Sequence, residues 1–251
     1  MFPKIKVCNA FGIPVYLDFS LIILLVLFMV DFGSFAYGLS FALILALSIV
    51  AHELGHALTA RAFGYGTRDI TLSLLGGCAS LIALPRKAWQ EFLTAIAGPA
   101  VSFVISGLSC LAIAFVPMRD AWTANMLVYA MWMNFVLGVF NLLPGFPMDG
   151  GRVFRSIASV FTTRAKATYA AMVVGRVFAV LLGLRGLHSM VTGGGWGFIS
   201  ILIAWMIWRE GWREYQMARM EESVRGWGDW SARVSPPPYG GQDDEVEIRK
   251  D

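Results

Sequence analysis

At 251 residues, 57% hydrophobic and only 15% charged, the chain carries well under the roughly 25% charge of a soluble domain. That balance excludes an ordinary soluble enzyme and predicts a protein that crosses a membrane several times. The formal net charge of +3 is too small for a nucleic-acid partner, and Cys8, Cys78 and Cys110 have neither disulfide nor metal spacing, reading as reduced, small apolar residues.

In chain order, residues 1–14 hold no compact apolar core followed by a cleavage site, so the first hydrophobic run reads as a retained span rather than a signal peptide. Bilayer-length apolar stretches predict six spans, at about 15–30, 39–62, 92–116, 126–142, 169–187 and 196–208. Between the second and third, residues 68–85 break the helical pattern. Ile70, Leu72 and Leu74 alternate with polar or small residues, Gly76-Gly77 supplies a turn, and a second apolar run follows. A hairpin in or against the membrane is expected there, its backbone covered by protein or lining a wet cavity. Residues 209–225 are charged and either continue the last span or lie at the interface, and residues 226–251, with Pro236-Pro237-Pro238 and acids near Asp243, read as disordered. The expected fold is an all-α polytopic membrane protein of about six transmembrane helices with a small membrane-associated β-hairpin between helices 2 and 3. It divides into a cytoplasmic N-terminus (1–14), a six-span core (15–208) and a cytoplasmic amphipathic segment with a disordered tail (209–251).

Basic residues orient this map. Lys4 and Lys6; Arg61, Arg68, Arg86 and Lys87; Arg152, Arg155, Arg164 and Lys166; and Arg209 and Arg213 all fall on one side, against Arg119 and Arg185 on the other. The positive-inside rule then places both termini in the cytoplasm.

The second span contains His52-Glu53-Leu54-Gly55-His56. On a helix this spacing puts two imidazoles one turn apart on one face, suited to share a Zn²⁺, and leaves the carboxylate between them to act on a metal-bound water. The segment lies about two turns, roughly 12 Å, from the cytoplasmic end of the span. Ionisable groups at such depth cost about 2.5–3.5 kcal/mol each on insertion scales and usually mark function. A catalytic zinc needs a third protein ligand and an open position. His188 falls near the opposite end of the fifth span. Asp149, in Asn141-Leu142-Leu143-Pro144-Gly145-Phe146-Pro147-Met148-Asp149-Gly150-Gly151-Arg152, follows the fourth span on the cytoplasmic side, where prolines end the helix and glycines allow a tight turn.

HELGH in a membrane helix, followed roughly 90 residues later by NLLPGFPMDGGR, resembles the site-2 protease (M50) family of intramembrane zinc metallopeptidases, in a minimal form without a recognisable PDZ or CBS domain. Ala97-Gly98-Pro99, reached through Glu91-Phe92, and Gly12-Ile13-Pro14 are similar to that family too, whereas Ser102 stands where many members carry Asn. The resemblance implies one Zn²⁺ per chain held by His52, His56 and Asp149, with Glu53 as catalytic acid/base. It also implies a substrate cleft bordered by the hairpin, with Leu72, Leu74, Gly76 and Gly77 as its candidate residues. The implied activity is an endopeptidase of the cell membrane that cuts in or near transmembrane segments of membrane-anchored substrates, in regulated proteolysis. Its partners would be that substrate, the lipid bilayer and a regulatory membrane protein.

Plainer readings stand beside these. Asn134 and Asn141, seven residues apart on one face of the fourth span, either bond neighbouring helices or serve substrate amides, an oxyanion or a water path. Glu91 reads as a first-turn carboxylate favoured by the helix dipole, and Trp196, Trp205, Trp208 and Trp212 read as interfacial anchors. The competing functions are ion translocation, which would scatter acids through several spans, and an inactive membrane scaffold, which has no use for Glu53.

Overall fold

In lipid the backbone has only itself for hydrogen bonding, so long apolar segments become helices. The computed structural model describes residues 4–19, 21, 26, 34–73, 76–81, 85, 87–117, 120–193 and 197–233. Within them the chain runs β1 (Lys4–Ala10), β2 (Ile13–Asp18), α1 (Phe35–Ala62), β3 (Thr67–Ser73), β4 (Gly76–Leu81), α2 (Ala88–Phe115), α3 (Ala121–Asn141), α4 (Asp149–Ala158), α5 (Arg164–Val191) and α6 (Gly197–Arg233). Helices α1, α2, α3 and α5 are long and apolar enough to cross a membrane. This is a mostly helical membrane protein.

The helices are packed inside out relative to a soluble bundle. Leu47 of α1 and Leu108 of α2 are 67% and 62% exposed, whereas Ser48, Ser102, Ser106 and Ser109 are buried. Lipid tails are as apolar as leucine, so nothing drives leucine inward and small residues take the contacts between helices. At the α1–α2 crossing a Cβ on Gly55 would meet the Ala97 carbonyl oxygen at 2.8 Å, so only glycine allows that approach.

The expected hairpin forms as β3 and β4, but it is half of a larger sheet. The strand order is β1-β2-β3-β4, with β2 parallel to β3 through Val15↔Ile70 and Leu17↔Leu72. The β1–β2 reversal uses Phe11 at φ 51° and Gly12 at φ 82°, both in the left-handed region that two-residue hairpin loops require. Arg61, in the last turn of α1, donates from Nη1 to the Phe11 carbonyl at 2.9 Å. One face of the sheet lies on α1, where Ile13, Val15, Ile70 and Leu72 form a core with Ile49 and Ala57.

Several expectations change. Residues 15–18, assigned to the start of the first span, belong to β2, because their alternating side chains match those of β3. Most of the remainder of that span lies outside the described residues. Gly76 and Gly77 do not turn the hairpin. They pair with Ser73 and Leu72 as part of β4, and the candidate Leu74 lies outside the described residues. Leu72 is 2% exposed, within the core between sheet and α1 rather than at a cleft. Residues 197–208 of the expected last span begin a helix that continues to Arg233, so residues 226–233, expected in a disordered tail, are helical. Residues 209–225 contain no proline and extending an existing helix is inexpensive. At 1.5 Å per residue α6 is about 55 Å long, more than a bilayer core, so its charged half must leave the lipid.

Candidate metal centre

The HExxH segment occupies α1 as its spacing predicts. His52, Glu53 and His56 are 2%, 7% and 6% exposed, and the two imidazole rings lie 5.0 Å apart. Asp149 is the first residue of α4. It is brought under the histidines by a chain reversal after α3, where Pro144 and Pro147 prevent the helix from continuing. The reversal is tight: a Cβ on Gly145 would meet Gly175 of α5 at 2.7 Å. The carboxylate Oδ2 of Asp149 stands 3.1 Å from His52 Nε2 and 3.0 Å from His56 Nε2.

The inner ring nitrogens decide what these three atoms can bind. His56 Nδ1–H donates to the Thr94 carbonyl at 2.7 Å, and His52 Nδ1 lies 2.9 Å from the Ser102 hydroxyl oxygen. A proton spent on Nδ1 leaves Nε2 as a lone pair. Two imidazole lone pairs and a carboxylate oxygen then converge, an arrangement of acceptors that calls for a cation at its centre. Zinc bonds of about 2.0–2.2 Å place tetrahedral ligand atoms about 3.3–3.6 Å apart, a few tenths of an ångström beyond the 3.0–3.1 Å observed. Among the described residues this is the group whose donor atoms lie within 4.8 Å of one another. The residues therefore fit a zinc held by three protein ligands. Glu53 stands near enough to interact electrostatically with His56.

Helix α2 builds the floor. A Cβ on Gly98 would strike the His56 ring and come within 2.7 Å of His52 Nε2, so the Ala97-Gly98-Pro99 step is a seat for both imidazoles. Ser102, one turn on and fully buried, is the partner of His52. The residue that departs from the resembled pattern therefore still orients a ligand.

Asn134 is fully buried, and its Nδ2 donates to Ser48 Oγ at 2.8 Å and the Ala130 carbonyl at 2.9 Å, while its Oδ1 has no partner. Ser48 is one turn before His52 on α1. Asn141 donates to the Leu137 carbonyl of its own helix at 2.9 Å. Among the described residues neither asparagine hydrogen-bonds a ligand. His188 sits in the last turn of α5 and is not part of the cluster.

Two features escaped sequence reasoning. Glu91 does lie in the first turn of α2, but it is also 5% exposed and receives Arg155 of α4 and Arg164 of α5. The signal available was its place at i−3 and i−7 from Thr94 and Gly98, on the same face of α2. Arg176 of α5 was not singled out at all, and it stacks over Trp208 and Trp212 of α6 at 4.5 and 5.1 Å. Those tryptophans hold a cation from a neighbouring helix rather than merely anchoring at the interface.

Known proteins can be set beside this geometry. The chain is 35% identical to the Synechocystis sp. protein sll0528 across 94% of its own length and 66% of that protein. It is also 35% identical to the zinc metalloprotease MJ0392 of Methanocaldococcus jannaschii, covering 74% of this chain and 55% of the relative. It thus spans between about half and two thirds of the length of these curated relatives. Among solved structures, the site-2 protease from Methanocaldococcus jannaschii superimposes with a TM-score of 0.66 at 30% identity, over 85% of this chain and 95% of that one. The sequence profile of peptidase family M50 matches residues 40–121 and 117–182, and with Asp149 brought against the two histidines of α1 the conclusion is direct: this chain belongs to peptidase family M50.

Proposed function

We propose that the chain is an intramembrane zinc endopeptidase that hydrolyses peptide bonds in or near the transmembrane segments of membrane-anchored proteins. One observation carries the reading: His52 Nε2, His56 Nε2 and Asp149 Oδ2 converge beside the buried carboxylate of Glu53. His52, His56 and Asp149 would hold the ion, which when bound supplies Lewis-acid activation of a water and of the scissile carbonyl. Thr94 and Ser102 fix the two imidazoles through their Nδ1 atoms. The Glu53 carboxylate accepts the proton of the attacking water and returns it to the leaving amine.

A substrate helix has its amides bonded internally and must unwind to expose a peptide bond. Strand β4 is an end strand of the sheet, and its outer backbone edge suits addition of an unwound strand. A groove of about 450 Å³ is lined in part by Leu47, Ser48, Ala51 and Leu54 of α1 and by Asn134 of α3. There the spare Asn134 Oδ1 is an acceptor for a substrate N–H. Asn141, at the end of α3 before the Asp149 reversal, is the second candidate for such contact. The reading includes six spans in the cell membrane with both termini in the cytoplasm, as the basic loops indicate, and a regulatory membrane protein as a further partner.

The test is zinc content and cleavage of a single-span reporter in liposomes, for wild type and Glu53→Gln. The expected result is one zinc in each, with cleavage falling about 10²–10⁴-fold in the variant. Zinc absent from the wild type, or cleavage that survives the substitution, would reject the reading.

A further inference from the structure

Asp149 reaches the histidines from a part of the chain almost a hundred residues away, so something must fix α4 against the helices that carry the other ligands. Arg155, six residues after Asp149, is 2% exposed, and Glu91 is 5% exposed. Arg155 donates to Glu91 Oε1 from Nε at 2.9 Å and from Nη2 at 2.5 Å, and to Glu214 of α6 from Nη1 at 3.1 Å. Its guanidinium also lies 4.9 Å over the Phe146 ring, within the reversal that precedes Asp149. Arg164 donates to the other Glu91 oxygen at 2.7 Å. Glu91, Thr94, Gly98 and Ser102 are all buried on α2. That face carries in turn the ion pair, the acceptor of His56, the seat of both rings and the partner of His52.

We propose that the Glu91–Arg155 pair is the positioning device of the metal centre: it sets the distance of Asp149 from the two imidazoles by clamping α4 to the face of α2 that holds their rings. Arg155 touches neither substrate nor ligand and acts through the placement of Asp149. A point charge would neutralise Glu91 equally well, but only the planar guanidinium fork fixes direction as well as charge. The inference rests on the zinc reading above.

The experiment uses the full chain in nanodiscs, with zinc affinity measured by competition against a chromogenic chelator and ligand geometry by the visible absorption of the Co²⁺ form. Arg155→Lys keeps the charge and removes the fork. It is expected to weaken zinc about 10–100-fold and to shift the Co²⁺ bands, with the thermal midpoint close to wild type. Should Arg155→Lys fail to fold, the double variant Glu91→Gln, Arg155→Met removes both charges together, which buried pairs often tolerate. It is expected to fold with the same loss of affinity and the same spectral shift. A folded variant with wild-type affinity and an unshifted Co²⁺ spectrum overturns the proposal. Wild type that takes up no zinc defeats the zinc reading instead, so the two failures are distinguishable.

Discussion

Two buried polar clusters lie within a few helical turns of one another along α2, and they solve the cost of burial differently. The outer one sets the carboxylates of Glu91 and Glu214 against the guanidinium groups of Arg155 and Arg164, and it is complete in itself. The inner one places Glu53 and Asp149 with two imidazoles whose Nδ1 atoms already have partners, and with neutral imidazoles a bound dication balances it. Charge buried without compensation costs several kcal/mol per ion, so the outer cluster reads as architecture and the inner one as a binding site. What separates them is the type of side chain: arginine supplies donors in a fixed fork, whereas neutral histidine supplies a lone pair.

That contrast can be broken most severely at the inner cluster. His56→Ala or Asp149→Asn should take bound zinc from one per chain to near none, measured by atomic absorption after purification. The outer cluster should stay intact, seen as an unchanged protease-resistant core. Next comes the seat. Gly98→Ala drives a methyl into both imidazoles, and overpacking of about 1–3 kcal/mol should weaken zinc roughly 5–150-fold in a chelator titration. Ser102→Ala should weaken it about 10-fold, at the lower end for loss of a group that orients a ligand, while Ser102→Asn restores most of it. The smallest effect belongs to Arg176 of α5. Arg176→Met removes the stacking on Trp208 and Trp212. It should cost about 1 kcal/mol, read as a drop of a few degrees in the thermal midpoint, with zinc affinity unchanged.

The legible parts of this protein were those that depend on periodicity. The HExxH spacing specifies two ligands because a helix repeats every 3.6 residues, and the prolines and glycines around Asp149 announce a reversal whatever surrounds them. Span ends were less legible at both extremes. The apolar alternation of residues 13–18 resembles the beginning of a hydrophobic helix until its partner strand, more than fifty residues on, is known. Leu72 suits a cleft or a core equally well until Ile49 and Ala57 are found beneath it. Glu91 and Arg155 look like surface charges in sequence, since their burial exists only as a pair.

The sequence by itself determined the membrane class, the two histidines and the carboxylate between them. These follow from composition and from helical geometry over a few residues. Only the tertiary structure decided that Asp149 meets both imidazoles through one oxygen, that Gly98 and Ser102 floor the site, and that an N-terminal hairpin completes the sheet. Each of those is a contact between segments far apart in the chain, fixed by how closely helix backbones approach and by which buried charges find partners.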